Sequence, residues 1–159
     1  MKPKTSLLVC ILTGVALTVM APRSGFADEQ GRIEGAWVIS ITGGAGTPTL
    51  PSWYQALATF THEGGLIETI TDPSIGTGHG RWTKIHGREF AVTTLLFRFD
   101  ATGDFLGTLK ARATIVLDKT GNEFTSDEYL FEFFDRNGTL LTSGVGKAHG
   151  TRIVVQPLP

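Results

Sequence analysis

The sequence predicts an all-β protein, an eight-stranded antiparallel up-and-down β-barrel preceded by a signal peptide. Three observations lead to this prediction. Turn motifs recur at nearly equal intervals in the second half of the chain, the segments between them alternate apolar and polar residues, and helical periodicity is absent from residue 33 onward. Alternation with a period of two is typical of a strand that buries one face.

The turn motifs share one design. "DATG" (100–103), "DKTG" (118–121) and "DRNG" (135–138) each begin with Asp and carry Gly three residues later. An Asp side chain accepts hydrogen bonds from backbone amides two residues further on, and Gly supplies the positive φ that tight turns need. The motifs therefore predict tight turns between strands such as "FLGTLKARATIVL" (105–117) and "EFTSDEYLFEFF" (123–134).

Runs of strand-forming residues bounded by Gly, Pro, Asp or Asn define the strands. In chain order they are expected at about 33–42, 53–62, 66–71, 80–86, 88–99, 105–117, 123–134 and 139–155. Every connection is too short for a crossover helix, so neighbours in sequence form antiparallel hairpins. A long meander favours closure because closure removes exposed edges, which predicts a barrel. A sandwich of two sheets is the alternative.

Successive turns of a meander alternate between its two ends. The short turns at 63–65, 86–88 and 118–121 are expected at one end, which we call the closed end. The other end, which we call the mouth, holds the connections 43–52, 72–79, 100–104 and 136–138. The two long Gly/Pro-rich loops thus lie together at the mouth, and the glycine run "DPSIGTGHG" is interpreted as part of its rim.

The same glycine run does not have the sequence of a phosphate site or a metal site. It lacks the Lys-Ser/Thr ending of a P-loop, and no helix follows whose N-terminus would face an anion. The four histidines, His62, His79, His86 and His149, do not have the spacing of a zinc motif. We therefore expect neither a metal site nor a cofactor.

The first 27 residues are predicted to be a secretory signal peptide, followed by a single barrel domain at 28–159. Lys2 and Lys4 precede an apolar run at 6–21, and Gly25 and Ala27 occupy the small-residue positions of a cleavage site. The apolar run is shorter than the about 20 residues that span a bilayer. The sequence thus predicts export, to a periplasm or to the outside, and predicts no membrane span after residue 27.

The expected mature domain is mildly acidic and contains no cysteine. Three of the 14 basic residues and none of the 15 acidic ones fall in 1–27, which leaves 11 basic against 15 acidic residues, a net charge of −4. No basic stripe is present, which argues against nucleic acid or an anionic membrane surface as a partner. The only cysteine, Cys10, lies in the predicted leader, so the core must form without disulfides.

Gly35 and Trp37, in "GAW" on the first strand, resemble the Gly-x-Trp element of the lipocalins and the wider calycin barrels. In that family the Trp closes one end of the barrel, and an Arg of the last strand packs across its ring. Arg152 in "GTRIVV" matches that Arg here. The resemblance implies a structural plug of Trp37 and Arg152 beneath a lumen that binds an apolar molecule. Allene oxide cyclase-like barrels are the other family with this pattern, and imply a cofactor-free cyclase.

A hydrophobic ligand in the lumen is the partner that the aromatic residues favour. Rim aromatics beside long loops and apolar positions in mid-strand suit such a ligand. The predicted ligand-binding residues are Trp53, Tyr54, Trp82, Phe97, Leu109, Tyr129 and Phe131. The strands at 88–99 and 123–134 are apolar on both faces, which leaves a homo-oligomer open as well.

For an enzyme, the weak catalytic candidate is Glu68. Leu66 and Ile70 share its face, and a carboxyl group inside an apolar barrel would have a raised pKa and could transfer protons. The opposite orientation, with Ile67 buried and Glu68 in water, stays open. The other charged residues in mid-strand are Arg98, Lys110, Arg112, Glu128 and Glu132.

Three functions follow as hypotheses. The first is an exported barrel that binds a small hydrophobic molecule in its lumen. The second is a cofactor-independent cyclase or isomerase, and the third is a structural or interaction module with a packed interior. A lumen smaller than about 300 Å³ would favour the third function, and a larger one would favour the first two. An inward carboxyl among polar groups separates the second from the first.

Overall fold

A computed structural model describes residues 32–43 and 53–158, without the side chain of Trp53. The predicted signal peptide at 1–27, with Cys10, and most of the first long loop lie outside the described residues. The part of the chain that the structure describes contains no helix long and apolar enough to cross a membrane.

The described chain is all-β and forms eight antiparallel strands that close into a barrel, which confirms the predicted fold class. The strands are β1 (Gly35–Gly43), β2 (Trp53–Phe60), β3 (Gly65–Ile70), β4 (Gly78–His86), β5 (Glu89–Phe99), β6 (Phe105–Leu117), β7 (Glu123–Asp135) and β8 (Leu140–Arg152). Each strand pairs with the next in sequence, and β1 pairs with β8 to close the barrel. The alternative sandwich is excluded by this closure.

The three Asp-to-Gly turns form as the sequence predicts. Oδ1 of Asp100 accepts the backbone amides of Thr102 and Asp104, each at 2.9 Å. Asp118 and Asp135 make the equivalent bonds in their turns. The glycine of each turn has a φ between 75° and 89°. These local bonds fix the lengths of β5 to β8 and hence their register.

Alternate residues of every strand point into the barrel and form its core. The inward side chains include Ile39 and Ile41 of β1, Leu109 of β6 and Phe131 of β7, all buried. Outward side chains are mostly polar, although Leu95 and Phe97 of β5 are about half exposed. Each strand buries one face, and this one-sided burial is why a period-two pattern of apolar residues predicted the strands.

The glycine run differs from its predicted place in a loop. β4 begins at Gly78 rather than at residue 80, so "GHG" is strand, paired with β3 on one side and β5 on the other. Only Thr71 to Thr77 connect β3 with β4, and Ile75 of this connection forms a bridge with Arg98 of β5. The prediction that the glycine run forms part of the rim of the mouth therefore holds only for residues 72–77.

One break in the hydrogen-bonded wall lies between β6 and β7. The ladder runs from Gly107 to Ala113 of β6 and resumes at Val116, which pairs with Thr125 of β7. Between these positions, two residues of β6 face the three residues 126–128 of β7, which form a bulge. The oxygen of Glu128 in the bulge accepts the hydroxyl of Ser126 at 3.0 Å, within β7 itself.

Candidate functional site

A small cavity lies at the centre of the barrel, and we take it as the candidate site. Its volume is about 30 Å³, enough for about one or two water molecules and far below the about 300 Å³ of a typical ligand pocket. Small side chains make the space, since Ala58, Ala111, Ala113 and Ala148 line it. Its polar lining comes mainly from Glu68, Thr94 and Tyr129.

Glu68 is the ionisable group of the cavity. It lies in the middle of β3, is 5% exposed, and shares the inner face with Leu66 and Ile70. Burial raises its pKa to about 7, and a hydrogen bond from the Thr94 side chain opposes this rise only in part. Burial therefore favours the protonated form of this carboxyl well above the pH at which an exposed glutamate loses its proton. Of the two orientations that the sequence left open, this is the lumenal one, and Ile67 is 46% exposed.

The glycines of β4 allow Glu68 and Thr94 to meet. Glu68 is on β3 and Thr94 on β5, with β4 between them. A Cβ on Gly78 would lie 2.6 Å from Cγ of Leu96 and 2.8 Å from Cγ2 of Thr94. A Cβ on Gly80 would lie 2.1 Å from the backbone oxygen of Thr93. A side chain at Gly78 would occupy the space beside the Thr94 side chain, and one at Gly80 would clash with the backbone of β5, which gives the glycine run a structural role beneath the site.

Two tyrosines extend the polar cluster toward the mouth. The hydroxyls of Tyr54 on β2 and Tyr129 on β7 are hydrogen-bonded to each other. Burial raises the pKa of Tyr54, and burial together with the charge of Glu68 raises the pKa of Tyr129. Both phenols therefore stay protonated beside the carboxyl of Glu68, and the one that accepts in their mutual bond keeps its own O–H as a donor.

Large side chains fill the barrel on the mouth side of the cavity. Tyr54, Leu96, Leu109, Phe131 and Phe133 are all buried there. Above them the Arg98 guanidinium lies 4.6 Å from the centroid of the Phe133 ring. The described part of the mouth is therefore occupied by protein.

Trp37 and Arg152 lie in contact at the closed end of the barrel. Trp37 is fully buried, and its Nε1 donates to the oxygen of Ile33 at 2.8 Å. Arg152 pairs with Trp37 across β1 and β8, and its guanidinium lies 4.3 Å from the centroid of the indole ring. The same guanidinium donates to the oxygens of Arg32, Glu34 and Gly121. The two residues thus close the barrel and tie the segment before β1 to the turn after β6.

The structure brings together four of the predicted ligand-binding residues. Tyr54, Leu109, Tyr129 and Phe131 are buried in the lumen. The backbone of Trp53 starts β2 at the mouth, and its side chain lies outside the described residues.

Trp82 and Phe97 do not occupy the predicted positions. Trp82 lies near the closed end, where its Nε1 donates to the oxygen of Thr61 at 3.0 Å, because β4 starts early and runs away from the mouth. Phe97 is 58% exposed on the outer face and contacts Phe105, since the even-numbered residues of β5 face inward. Neither residue lines the central cavity.

Sequence reasoning missed Thr94, Ala58 and Ala148, whereas Ala111 and Ala113 were expected on the buried face of β6, where small residues leave room inside a barrel. The alternation of β5 places Thr94 on the same inward face as Leu96. A threonine at an inward position was therefore the signal that could have identified it. The remaining charged candidates of mid-strand lie at the surface or at the mouth. Glu132 forms ion pairs with Arg112 at 3.0 Å and Lys110 at 3.8 Å on the outer face.

Among the described residues, no group of three or more His, Cys, Asp and Glu side chains is arranged to hold a metal ion. His62 and His86 lie exposed near the closed end, beside Glu34 and Glu89 respectively. The histidines therefore do not converge on the cavity.

No protein-family model, no curated protein and no solved structure matches this chain. The closed barrel is compatible with a calycin-like architecture, and the likeness of Trp37 and Arg152 to the lipocalin plug extends to their contact. Membership of the lipocalins or of the allene oxide cyclase group stays a hypothesis.

Proposed function

We propose that the protein is exported and that its barrel binds a small, mostly apolar molecule whose polar group reaches Glu68. The observation that carries this proposal is a carboxyl group buried in an apolar lumen, with a pKa near neutrality and two phenols close by. A perturbed ionisable group in a cavity is a mark of a binding or catalytic site.

The stability cost of Glu68 supports a functional role. A barrel selected only for stability would gain from an apolar residue at this position, since a buried carboxyl pays for its desolvation at every pH above its ordinary pKa. Thr94 offsets part of that cost, and the glycines of β4 make the contact with Thr94 possible. The cluster is thus built around the carboxyl.

The cavity alone falls on the packed-module side of the limit of about 300 Å³, since its volume of about 30 Å³ has room for one or two water molecules but not for a ligand. A molecule larger than about two waters must extend beyond it, so binding requires either movement of the lining side chains or a second space beside the cavity. A protein that lacks both would be a module with a packed interior.

The direct test is native mass spectrometry of the protein purified from its host, combined with titration of N-phenyl-1-naphthylamine, a neutral fluorescent apolar probe. We expect a bound adduct and saturable probe binding. Ala111→Leu, which fills the cavity, should abolish binding, whereas Val116→Leu on the outer face of the same strand should not. Absence of both adduct and probe binding would contradict the proposal and favour the packed module.

A cofactor-independent isomerase or cyclase is the second candidate, favoured by the pKa of Glu68. A carboxyl with a pKa of about 7 is suited to general acid and base catalysis at neutral pH. Any copurified molecule should then exchange a carbon-bound hydrogen for deuterium when it is incubated with the protein in heavy water. Glu68→Gln should retain the molecule and lose the exchange. If the wild type retains the molecule but shows no exchange, catalysis is contradicted and only the binding function remains.

A further inference from the structure

We propose that the lumen is reached through the side of the barrel, at the break between β6 and β7, by a small amphipathic molecule that leaves its polar end in an outer groove. The inference rests on the proposed function for the identity of the occupant. The route itself is argued from the described wall of the barrel.

The first step concerns the two ends of the barrel. At the closed end, Trp37 and Phe124 are fully buried with their rings 4.9 Å apart. On the mouth side, five large buried side chains separate the cavity from Arg98 and Ile75. Passage along the barrel axis would require several of these side chains to move at once.

The second step concerns the wall. An outer groove of about 300 Å³ lies over β5, β6 and β7. The groove and the central cavity share three lining residues, Val92, Arg112 and Ala113. Val92 and Ala113 pair across β5 and β6 and point inward, yet both are only partly buried. The ladder between β5 and β6 is unbroken at this pair, so the interrupted part of the wall next to both spaces lies on the β7 side of Ala113.

The third step explains why the wall is thin there. Ala113 is the last residue of β6 that pairs with β7 before the ladder breaks, and its partner is Tyr129 of the polar cluster. Beyond it the bulge at 126–128 carries Glu128 to the edge of the groove. Bulges beside functional sites redirect side chains and interrupt pairing, as this one does.

The fourth step identifies the occupant. Thr93, Thr114, Arg112 and Glu128 line the groove, and the last two carry opposite charges. Arg112 is already paired with Glu132 at 3.0 Å. The groove therefore suits an uncharged polar end, such as a hydroxyl or carbonyl, while the apolar end passes beside Ala113, through the break between β6 and β7, toward Glu68. Groove and cavity together reach the volume of an ordinary ligand pocket, which the cavity alone does not.

The route can be tested without a ligand. In a Cys10→Ser background, Ala111→Cys places a single thiol on the cavity wall, and its rate of reaction with neutral N-ethylmaleimide reports access to the lumen. Thr114→Trp blocks the groove, and Val116→Trp adds the same ring two residues away, outside it. Ile75→Ala widens the mouth.

We expect Thr114→Trp to slow the thiol reaction by about tenfold or more, because thiol reactivity requires access, and the other two variants to change it by less than about twofold. Equal rates for Thr114→Trp and Val116→Trp, or a faster reaction with Ile75→Ala, would overturn the side route. Near-ultraviolet circular dichroism shows that each variant is folded.

A second measurement separates the route from the proposed function. The association rate of N-phenyl-1-naphthylamine should fall in Thr114→Trp and stay unchanged in Val116→Trp. If the wild type does not bind the probe, the proposed function fails, and the thiol rates still decide the route. If the probe binds at equal rates in both variants, the route fails and the proposed function stands.

Discussion

Replacement of Glu68 by Gln should stabilise the protein at neutral and alkaline pH. In the wild type the folded carboxyl has a pKa of about 7, against 4.5 when it is exposed to solvent. Between these values the folded state holds a proton that the unfolded state has lost, so the wild-type free energy of unfolding falls as the pH rises. Gln has the shape of the protonated carboxyl and does not titrate.

The magnitude follows from linkage. Each pH unit between the two pKa values is worth about 1.4 kcal/mol, so the interval from 4.5 to about 7 corresponds to about 3 kcal/mol. Below pH 4.5 Glu68→Gln and the wild type should be nearly equal in stability. The advantage of Glu68→Gln should grow through the interval and be constant above pH 8.

Urea denaturation between pH 4.5 and 8 measures this difference. Subtracting the two curves removes the pH dependence that is common to both proteins. Glu128→Gln, at an exposed position of β7, is the control and should show no such trend. A difference between Glu68→Gln and the wild type that does not change with pH would refute the buried, protonated carboxyl.

Three further predictions concern the scaffold of the site. Arg152→Lys should lower the free energy of unfolding by about 2 kcal/mol or more, since an ammonium cannot reproduce the three backbone hydrogen bonds of the guanidinium; urea denaturation measures it. Gly80→Ala should destabilise by about 2–3 kcal/mol in the same assay because its Cβ meets backbone, whereas His79→Ala beside it should be close to neutral. Asp118→Asn should lower Tm at pH 7. Its deficit should shrink as the pH falls below 3.8, because hydrogen bonds in the turn hold the pKa of Asp118 below that value and the wild type loses this stabilisation on protonation. An unchanged Tm at pH 7 would contradict the role of that carboxylate.

The fold was accessible from the sequence because it is specified locally. The turns at Asp100, Asp118 and Asp135 depend on side chains that bond their own backbone, so four residues suffice to recognise each. The alternation of β6 reports its buried face directly. The inward position of Glu68 was one of two choices, because the short β3 has apolar residues on both faces.

The cavity and its wall were not accessible in this way. β4 has few apolar side chains and two glycines, so neither its start nor the place of Trp82 is marked by a pattern. The contact between Glu68 and Thr94 depends on the register of β3 and β5 against β4 and on the space that Gly78 leaves beside Thr94. The break beside Ala113 arises because two residues of β6 face three residues of β7. Such a mismatch cannot be recognised from the sequence of either strand taken by itself.

The seam between β1 and β8 has a consequence for the folding rate. It pairs Trp37 with Arg152, residues near opposite ends of the described chain, so the cylinder cannot close before the last strand has been made. Pairing between such distant segments is slow, because the loop between them must be ordered first. For a chain exported as proposed, the barrel would therefore close only after its final strand had been delivered.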